Sequence, residues 1–238
     1  MAAPSKVSGR RSRRAGWALI MGAVSNVAFL LEGYVGARLD RSVSFVSELG
    51  ARGEPGAGLF RLADFVTGVL FLIGSVAAAR FLPPNLALRL GVLSAGLFAA
   101  LTALDAFLPL DCPPTSDPAC RLAEDTGNVS WTHAAHNVTG VLEGVLASAA
   151  LLGLALGSWQ LRRRHRLSAR WEPQWQLLTI VGVAYVALSM LIAALYLTNT
   201  DGVGLVQRVQ IVLYSAAMFN LGLLLTNDDR TRKGSHDD

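Results

Sequence analysis

The sequence predicts an all-α integral membrane protein, a bundle of six transmembrane helices. Apolar residues make up 52% of the 238 residues and charged residues only 16%, whereas about a quarter of a typical soluble domain is charged. Six apolar runs reach the length of roughly 20 residues that a helix needs to cross a hydrocarbon core. These runs cover residues 17–37, 59–79, 88–108, 133–156, 175–197 and 203–225.

The basic residues predict the orientation of these spans. When the spans alternate in direction and the N-terminus lies inside, fifteen of the twenty-one Lys and Arg fall in cytoplasmic segments. The positive-inside rule therefore predicts that both termini are cytoplasmic. This gives a basic cytoplasmic tail over residues 1–16, a six-span transmembrane domain over 17–225 and a cytoplasmic tail over 226–238. We interpret the first span as uncleaved, because its apolar run is too long for a signal peptide.

The net charge of +4 does not indicate nucleic acid binding. The basic residues are dispersed over the inner connections and are not interleaved with aromatic residues. Positive-inside bias and anionic lipid head groups account for them. The predicted partner is therefore the lipid bilayer, and the arginine- and alanine-rich composition indicates a bacterial plasma membrane.

The first three spans carry ionisable groups near their outer ends. Glu32 lies about fifteen residues into span one, which is roughly 22 Å at 1.5 Å per residue, and we interpret it first as a snorkelling or helix-packing carboxylate. Span two begins with Arg61 and Asp64, which are neighbours on one helix face. Span three carries Asp105 near its outer end. We expect Asp64 and Asp105 to pair with a base, because an unpaired charge facing lipid is costly.

The two longer outer connections have different chemistry. The first, residues 38–56, is polar and punctuated by glycine and proline, which precludes a long helix. It contains Glu48, beside Ser47, for which no nucleophile-activating partner can be identified. The second contains the only cysteines of the chain, Cys112 and Cys120. In oxidising surroundings outside the membrane two such cysteines predict a disulfide bond, and alone they would make an incomplete metal site.

Span four places polar side chains and glycines on one stripe. At 100° per residue, one face carries His133, His136, Gly140, Glu143 and Gly144. We expect this face to point toward protein. The two glycines, four residues apart, form a small-xxx-small pattern that permits close helix contact, and this explanation accounts for both of them. Span five is free of charge, and span six begins with Gln207 and Arg208.

Short motifs spread along the chain carry a family resemblance. The first are VSELG at residues 46–50, a G-x-P-G turn at 53–56 and LFRLADFVTG at 59–68. Further along, in the same order, come Phe107, Pro109 and Asp111, then His136-Asn137, then Gln207-Arg208. These motifs resemble a bacterial and archaeal membrane family catalogued as domain of unknown function 998. The resemblance covers nearly the whole chain and implies about six spans but no assigned activity, and analogy with Frag1-like membrane proteins leans toward lipid-related roles.

The outer half of the bundle is therefore predicted to hold one outward-facing polar pocket, capped by the two outer connections. Ionisable residues within spans are functional candidates by default. The pocket candidates are Glu32, Glu48, Arg61, Asp64, Asp105, His133, His136, Glu143, Gln207 and Arg208.

Three chemistries suit such a pocket. The favoured prediction is binding or handling of a lipid or other amphiphile, in which arginines hold the head group and apolar helix walls hold the tails. One alternative is a metal-dependent intramembrane hydrolase, with a divalent metal on His133, His136 and Asp105. Another is a proton-coupled transporter, with carboxylates and histidines relaying protons. Beside these stands a structural interpretation, in which the groups pair with one another and brace the helices.

No cofactor other than that metal is predicted. The sequence leaves open the ligand, the choice between catalysis, transport and a structural role, and the oligomeric state.

Overall fold

The computed structural model describes residues 6–80, 82–164 and 174–234, and this part of the chain is all-α. Two short 3-10 turns, Ala28–Leu31 and Val46–Gly50, lie between the first two α-helices. The α-helices are α1 (Lys6–Asn26), α2 (Ala57–Ala79), α3 (Leu86–Asp105), α4 (Pro118–Asp125), α5 (Trp131–Arg163), α6 (Gln174–Leu197) and α7 (Val203–Gly234).

Five of these helices, α2, α3, α5, α6 and α7, are long and apolar enough to cross a membrane. They coincide with predicted spans two to six, and α2 and α3 each begin two residues before the predicted start. Their outward faces carry many exposed apolar side chains, as helices surrounded by lipid require. The chain is thus a multi-pass membrane protein.

The first predicted span differs from the structure. The prediction was one continuous helix over residues 17–37, but α1 begins at Lys6 and ends at Asn26. The backbone leaves the α-helix at Val27 (φ −98°, ψ 20°) and makes the 3-10 turn Ala28–Leu31. Beyond this break Glu32 is buried at the end of the turn, where Arg208 lies 2.7 Å away.

The six long helices form a closed ring. Among α1, α2, α3, α5, α6 and α7, each packs against the next in chain order, and α7 returns to pack against α1. Short connections favour such antiparallel neighbours. Helix α4 lies in the connection between α3 and α5 and is too short to cross a membrane. The ring encloses an interior to which all six helices can contribute side chains.

Close helix crossings are made at glycines other than the predicted pair. A Cβ on Gly153 of α5 would lie 2.8 Å from the Cα of Gly91 on α3, so these two backbones touch. A Cβ on Gly140 or Gly144 would meet nothing within 4 Å. The prediction that Gly140 and Gly144 permit close helix contact is therefore wrong, because their face borders open space.

Apolar packing is divided between the two ends of the ring. The larger core, which includes Leu19, Phe71, Leu151 and Met218, fills the half away from the 3-10 turns. A smaller cluster of Phe29, Leu49 and Phe60 lies at the end where these turns are found. Between the two clusters the interior is polar.

Candidate functional site

A cavity of about 160 Å³ lies inside the ring, between the two apolar clusters. Every helix of the ring contributes to its lining. One lining residue from each helix, in chain order from α1 to α7, gives Asn26, Asp64, Asp105, Glu143, Tyr185 and Tyr214. Because neighbouring helices are antiparallel, residues distant in the sequence meet at this level.

Three carboxyl groups and one imidazole line this cavity. Asp105 is only 8% exposed, accepts a hydrogen bond from the Thr139 hydroxyl, and has its Oδ2 3.8 Å from Nδ1 of His136. The carboxyl group of Glu143 faces those of Asp105 and Asp64. Glu143 Oε1 and His136 Nδ1 are both buried and have no hydrogen-bond partner among the described residues. The cavity thus presents unsatisfied polar atoms.

Asp64 differs from the sequence expectation. It faces Asp105 across the cavity and forms no ion pair with a described residue, although it was expected to pair with a base. Among the described residues that line the cavity there is no Lys or Arg. The lining is therefore acidic, apart from the imidazole of His136.

Aromatic rings lie at the end of the cavity that borders the larger apolar core. The ring of Tyr214 lies 4.8 Å from that of Phe98 and 6.0 Å from that of Tyr185, between ring centroids. Phe71 packs behind them, 5.9 Å from Tyr214, and belongs to the large apolar core. These aromatic residues thus form the boundary between the cavity and the larger apolar core.

The second 3-10 turn, Val46–Gly50, lies at the other end of the cavity. Val46 and Ser47 line the cavity, and the backbone N–H of Val46 donates a 2.6 Å hydrogen bond to Oε1 of Gln207 on α7. Gln207 itself lines the cavity. Part of the VSELG motif, which belongs to the family resemblance, thus lines one end of the cavity.

Glu48 of the same turn points away from the cavity. It is fully buried and accepts hydrogen bonds from the N–H of Thr115 (3.2 Å) and from its hydroxyl (2.7 Å). Burial raises the pKa of the Glu48 carboxyl to about 7, although the bonds from Thr115 oppose the rise. Thr115 lies in the loop closed by Cys112 and Cys120, whose sulfur atoms are 2.01 Å apart, as the predicted disulfide requires.

Glu32 and Arg208 form a separate buried ion pair. Nη2 of Arg208 lies 2.7 Å from Glu32, and its Nη1 donates to the carbonyl groups of Arg41, Ser44 and Gly204. Arg41 adds a second, exposed guanidinium 2.7 Å from Glu32. Neither Glu32 nor Arg208 lines the cavity. The pair fastens the first outer connection to α7.

His133 does not line the cavity that His136 lines. It is fully buried, and its Nδ1 accepts a hydrogen bond from the N–H of Asp111 at 3.2 Å. In a neutral imidazole the proton is then on Nε2, which faces Glu124 at 3.8 Å. A metal on Nε2 would require an imidazolate. Within the described residues no group of three or more His, Cys, Asp or Glu could hold a metal ion.

Asp111 joins the two outer connections. It accepts hydrogen bonds from Ser130 and forms an ion pair with Arg52 at 2.9 Å. Arg61, the remaining predicted pocket residue, is half-buried beside Gly50 and does not line the cavity. Of the ten predicted residues, the cavity holds Asp64, Asp105, His136, Glu143 and Gln207.

Several lining residues were not among the predicted candidates. Gln210 and Tyr214 lie three and seven residues after Gln207 on α7, so helical periodicity places them on the same face. That spacing could have predicted that Gln210 and Tyr214 line the cavity. No pattern in the sequence predicts the same of Tyr185 and Phe98, because an aromatic residue in a transmembrane span is equally suited to packing.

The fold and the cavity define a class: a multi-pass membrane protein with an acidic intramembrane site. A family model described as "Protein of unknown function (DUF998)" matches residues 19–224, which include the whole cavity lining. The chain belongs to this family, and the resemblance found in the sequence is confirmed. No curated protein and no solved structure shows significant similarity to the chain. Family membership assigns no activity.

Proposed function

We propose that the chain is a proton-coupled membrane transporter of a small cation, with Asp64, Asp105, His136 and Glu143 as the exchange site. The observation that supports this function is the presence of all four in one cavity inside a ring of membrane-crossing helices. Ionisable side chains at such positions are typical of proton and ion pathways. The acidic lining favours a cationic ligand over a phosphate or a carboxylate.

The proposal includes a sixth crossing, supplied by α1 and the 3-10 turn that follows it. Three contacts join this segment to α7 along its length: Ser12 donates to the carbonyl of Leu225 at 3.0 Å, Asn26 to Ser215 at 2.9 Å, and Arg208 to Glu32 at 2.7 Å. The segment thus runs antiparallel to α7 over the part of α7 that is apolar enough to cross. Both termini then lie on one side, which the positive-inside rule assigns to the cytoplasm.

In this topology the end of the cavity lined by Val46, Ser47 and Gln207 faces the outer side, and this end is the proposed mouth. Asp105 and His136 lie near the mouth, and Glu143 lies two turns further along α5, about 10 Å deeper. When a cation binds, a cavity carboxylic acid loses its proton: the O–H bond breaks, the carboxylate receives the cation and the proton passes to water at the mouth. Transport further requires that the rings of Phe98, Tyr185 and Tyr214 separate on the inner side.

Charge movement in reconstituted vesicles tests the exchange site without knowledge of the substrate. The full chain is reconstituted into liposomes on a solid-supported membrane, and the external pH is lowered from about 8 to about 6. Proton entry into the cavity predicts a transient current that Asp105→Asn and Glu143→Gln each reduce several-fold. Asp201→Asn, which alters an exposed carboxyl group in the α6–α7 turn, should keep it. A current equal to that of protein-free liposomes would contradict the proposal.

Lipid or amphiphile handling, the prediction favoured by the sequence, stays a prediction. Its basis was a head group held by arginines, but neither Arg61 nor Arg208 lines the cavity. The volume of about 160 Å³ is also below the roughly 300–1,000 Å³ of typical ligand pockets. Extraction of the purified protein with organic solvent, followed by lipid analysis, would detect a stoichiometric amphiphile.

The metal-dependent hydrolase also stays a prediction, and it has less support from the geometry. His133 and His136 belong to different clusters, as described above. Metal analysis of the purified chain tests it: a stoichiometric metal that is lost in the His133→Ala plus His136→Ala variant would support the enzyme.

A further inference from the structure

We infer that the cation is a small organic ammonium ion of about six to eight non-hydrogen atoms, an inference that rests on the proposed cation site. Its size follows from the cavity. An apolar cavity of about 150 Å³ accommodates benzene, and the cavity between the rings and the carboxyl groups measures about 160 Å³. A ligand of this size fits without a long tail.

The polar wall requires a positively charged hydrogen-bond donor. Glu143 Oε1 is buried and accepts no hydrogen bond from the described residues. Its neighbours Asp105 and Asp64 are also carboxyl groups, and the only basic side chain among the described lining residues is the imidazole of His136, which lies beside Asp105. An ammonium group satisfies both the hydrogen-bonding and the charge requirement, because hydrogen bonds between ionised partners are the strong ones.

A bare metal ion fits this wall less well. Hard divalent cations take six or more oxygen ligands in a closely defined geometry. The described residues contain no group of three or more His, Cys, Asp or Glu arranged to hold one.

Aromatic residues line the same cavity. Phe98, Tyr185 and Tyr214 belong to its lining together with Glu143. Rings attract a cation that lies within about 6 Å of their centroids. One cavity therefore offers a cation both a carboxyl group and aromatic residues.

Thermal unfolding of the full chain in detergent tests this ligand class. The probes are choline, n-pentylammonium, potassium chloride, and 3,3-dimethyl-1-butanol, the neutral isostere of choline. We expect at least one of the two ammonium ions to raise Tm, at matched ionic strength, by more than potassium chloride or the alcohol does. An equal shift with potassium would indicate a site for inorganic cations, and an equal shift with the alcohol would indicate an apolar site. Either result, or no shift with any probe, would overturn the inference.

Variants localise the binding. Glu143→Gln should weaken the affinity for the ammonium probe at least tenfold, Phe98→Leu should weaken it less, and Tyr214→Phe, which keeps the ring, should retain it. Asp201→Asn is the matched control outside the cavity. If Glu143→Gln fails to fold, Gly144→Leu replaces it, because a Cβ at Gly144 meets nothing within 4 Å and the larger side chain fills the cavity. Unchanged affinity in the folded variants would also overturn the inference.

The two proposals fail separately. A pH-driven current that depends on Asp105 and Glu143, without any ammonium effect on Tm, leaves the exchange site in place and removes the ligand class. An ammonium shift that depends on Glu143, without a current, supports the ligand class as a binding site and removes proton coupling.

Discussion

Glu32 and Glu48 are buried carboxyl groups at the same end of the ring, yet their surroundings give them different roles. Glu32 lies between two guanidinium groups, those of Arg41 and Arg208. Glu48 has only the neutral donors of Thr115. A buried carboxylate without a cationic partner favours its protonated form. Glu48 is therefore the group at this end whose charge responds to neutral pH.

The first prediction concerns Glu48 and pH. Its pKa is about 7 in the folded protein against the ordinary value of 4.5. The folded state thus holds a proton that the unfolded chain has lost, and stability falls as pH rises between these values, by about 3 kcal/mol in total. Glu48→Gln should remove this loss of stability with rising pH. The Tm of the variant minus that of the wild type should therefore increase from pH 5 to pH 8. Parallel Tm profiles for the two proteins would contradict the assignment.

The second prediction concerns the two arginines that contact Glu32. The side chain of Arg208 is 9% exposed and that of Arg41 is 59% exposed. Removal of one partner from a buried pair costs about 3–5 kcal/mol, whereas an exposed pair contributes less than about 1 kcal/mol. Chemical unfolding in detergent should therefore show a much larger loss for Arg208→Met than for Arg41→Met. Equal losses would show that Glu32 is not held chiefly by Arg208.

Residue depth could be predicted from the sequence, but the direction of each side chain could not. Counting along the spans placed all ten candidates toward one end of the bundle. His133 and His136 differ by only 60° on α5 by helical geometry, yet one contacts the outer connections and the other lines the cavity. Which neighbour fills each direction depends on contacts between helices, and a single sequence does not contain them.

At the scale of helices, the glycines of α5 divide into two kinds. Gly153 touches the backbone of α3, while Gly140 and Gly144 border the cavity. Gly140 and Gly144 are four residues apart, as in the pattern for close helix packing. The same spacing also occurs where glycines leave space for a cavity, so the spacing alone does not separate the two cases.

The third prediction separates these two kinds of glycine. A Cβ at Gly153 would lie 2.8 Å from Gly91 and 3.0 Å from the carbonyl of Ala87, so Gly153→Ala should cost about 1–3 kcal/mol through overpacking. Gly144→Ala should leave stability unchanged or raise it by up to about 1 kcal/mol, because alanine favours the helix. Unfolding in detergent measures both. A larger loss for Gly144→Ala would show that its surroundings are closed.

At the scale of the whole molecule, five spans could be predicted closely because their apolar runs are long and bounded by charged or turn residues. The first span could not, since its helix extends into the basic tail at one end and breaks at Val27 at the other. Glu32 follows the break and is paired in the interior with Arg208, which lies far away in the sequence. The residues around Val27 alone therefore do not predict the break.

The fourth prediction tests the six-crossing topology. Because both native cysteines form the disulfide, single cysteines can be introduced at the exposed residues Arg13, Arg89 and Asp201. In intact cells a membrane-impermeant maleimide should label Asp201→Cys and leave Arg13→Cys and Arg89→Cys unlabelled. Labelling of Arg13→Cys together with Asp201→Cys would mean that α1 does not cross.

The contact between α1 and α7 also sets an order of events during synthesis. Glu32 precedes its partner Arg208 by 176 residues, which corresponds to roughly 10–35 s of translation at 5–20 residues per second. Throughout that interval the nascent chain is an open arc, and Glu32 has only Arg41 to offset its charge. A ribosome that stops before α7 therefore leaves Glu32 without the guanidinium group that buries it in the complete chain.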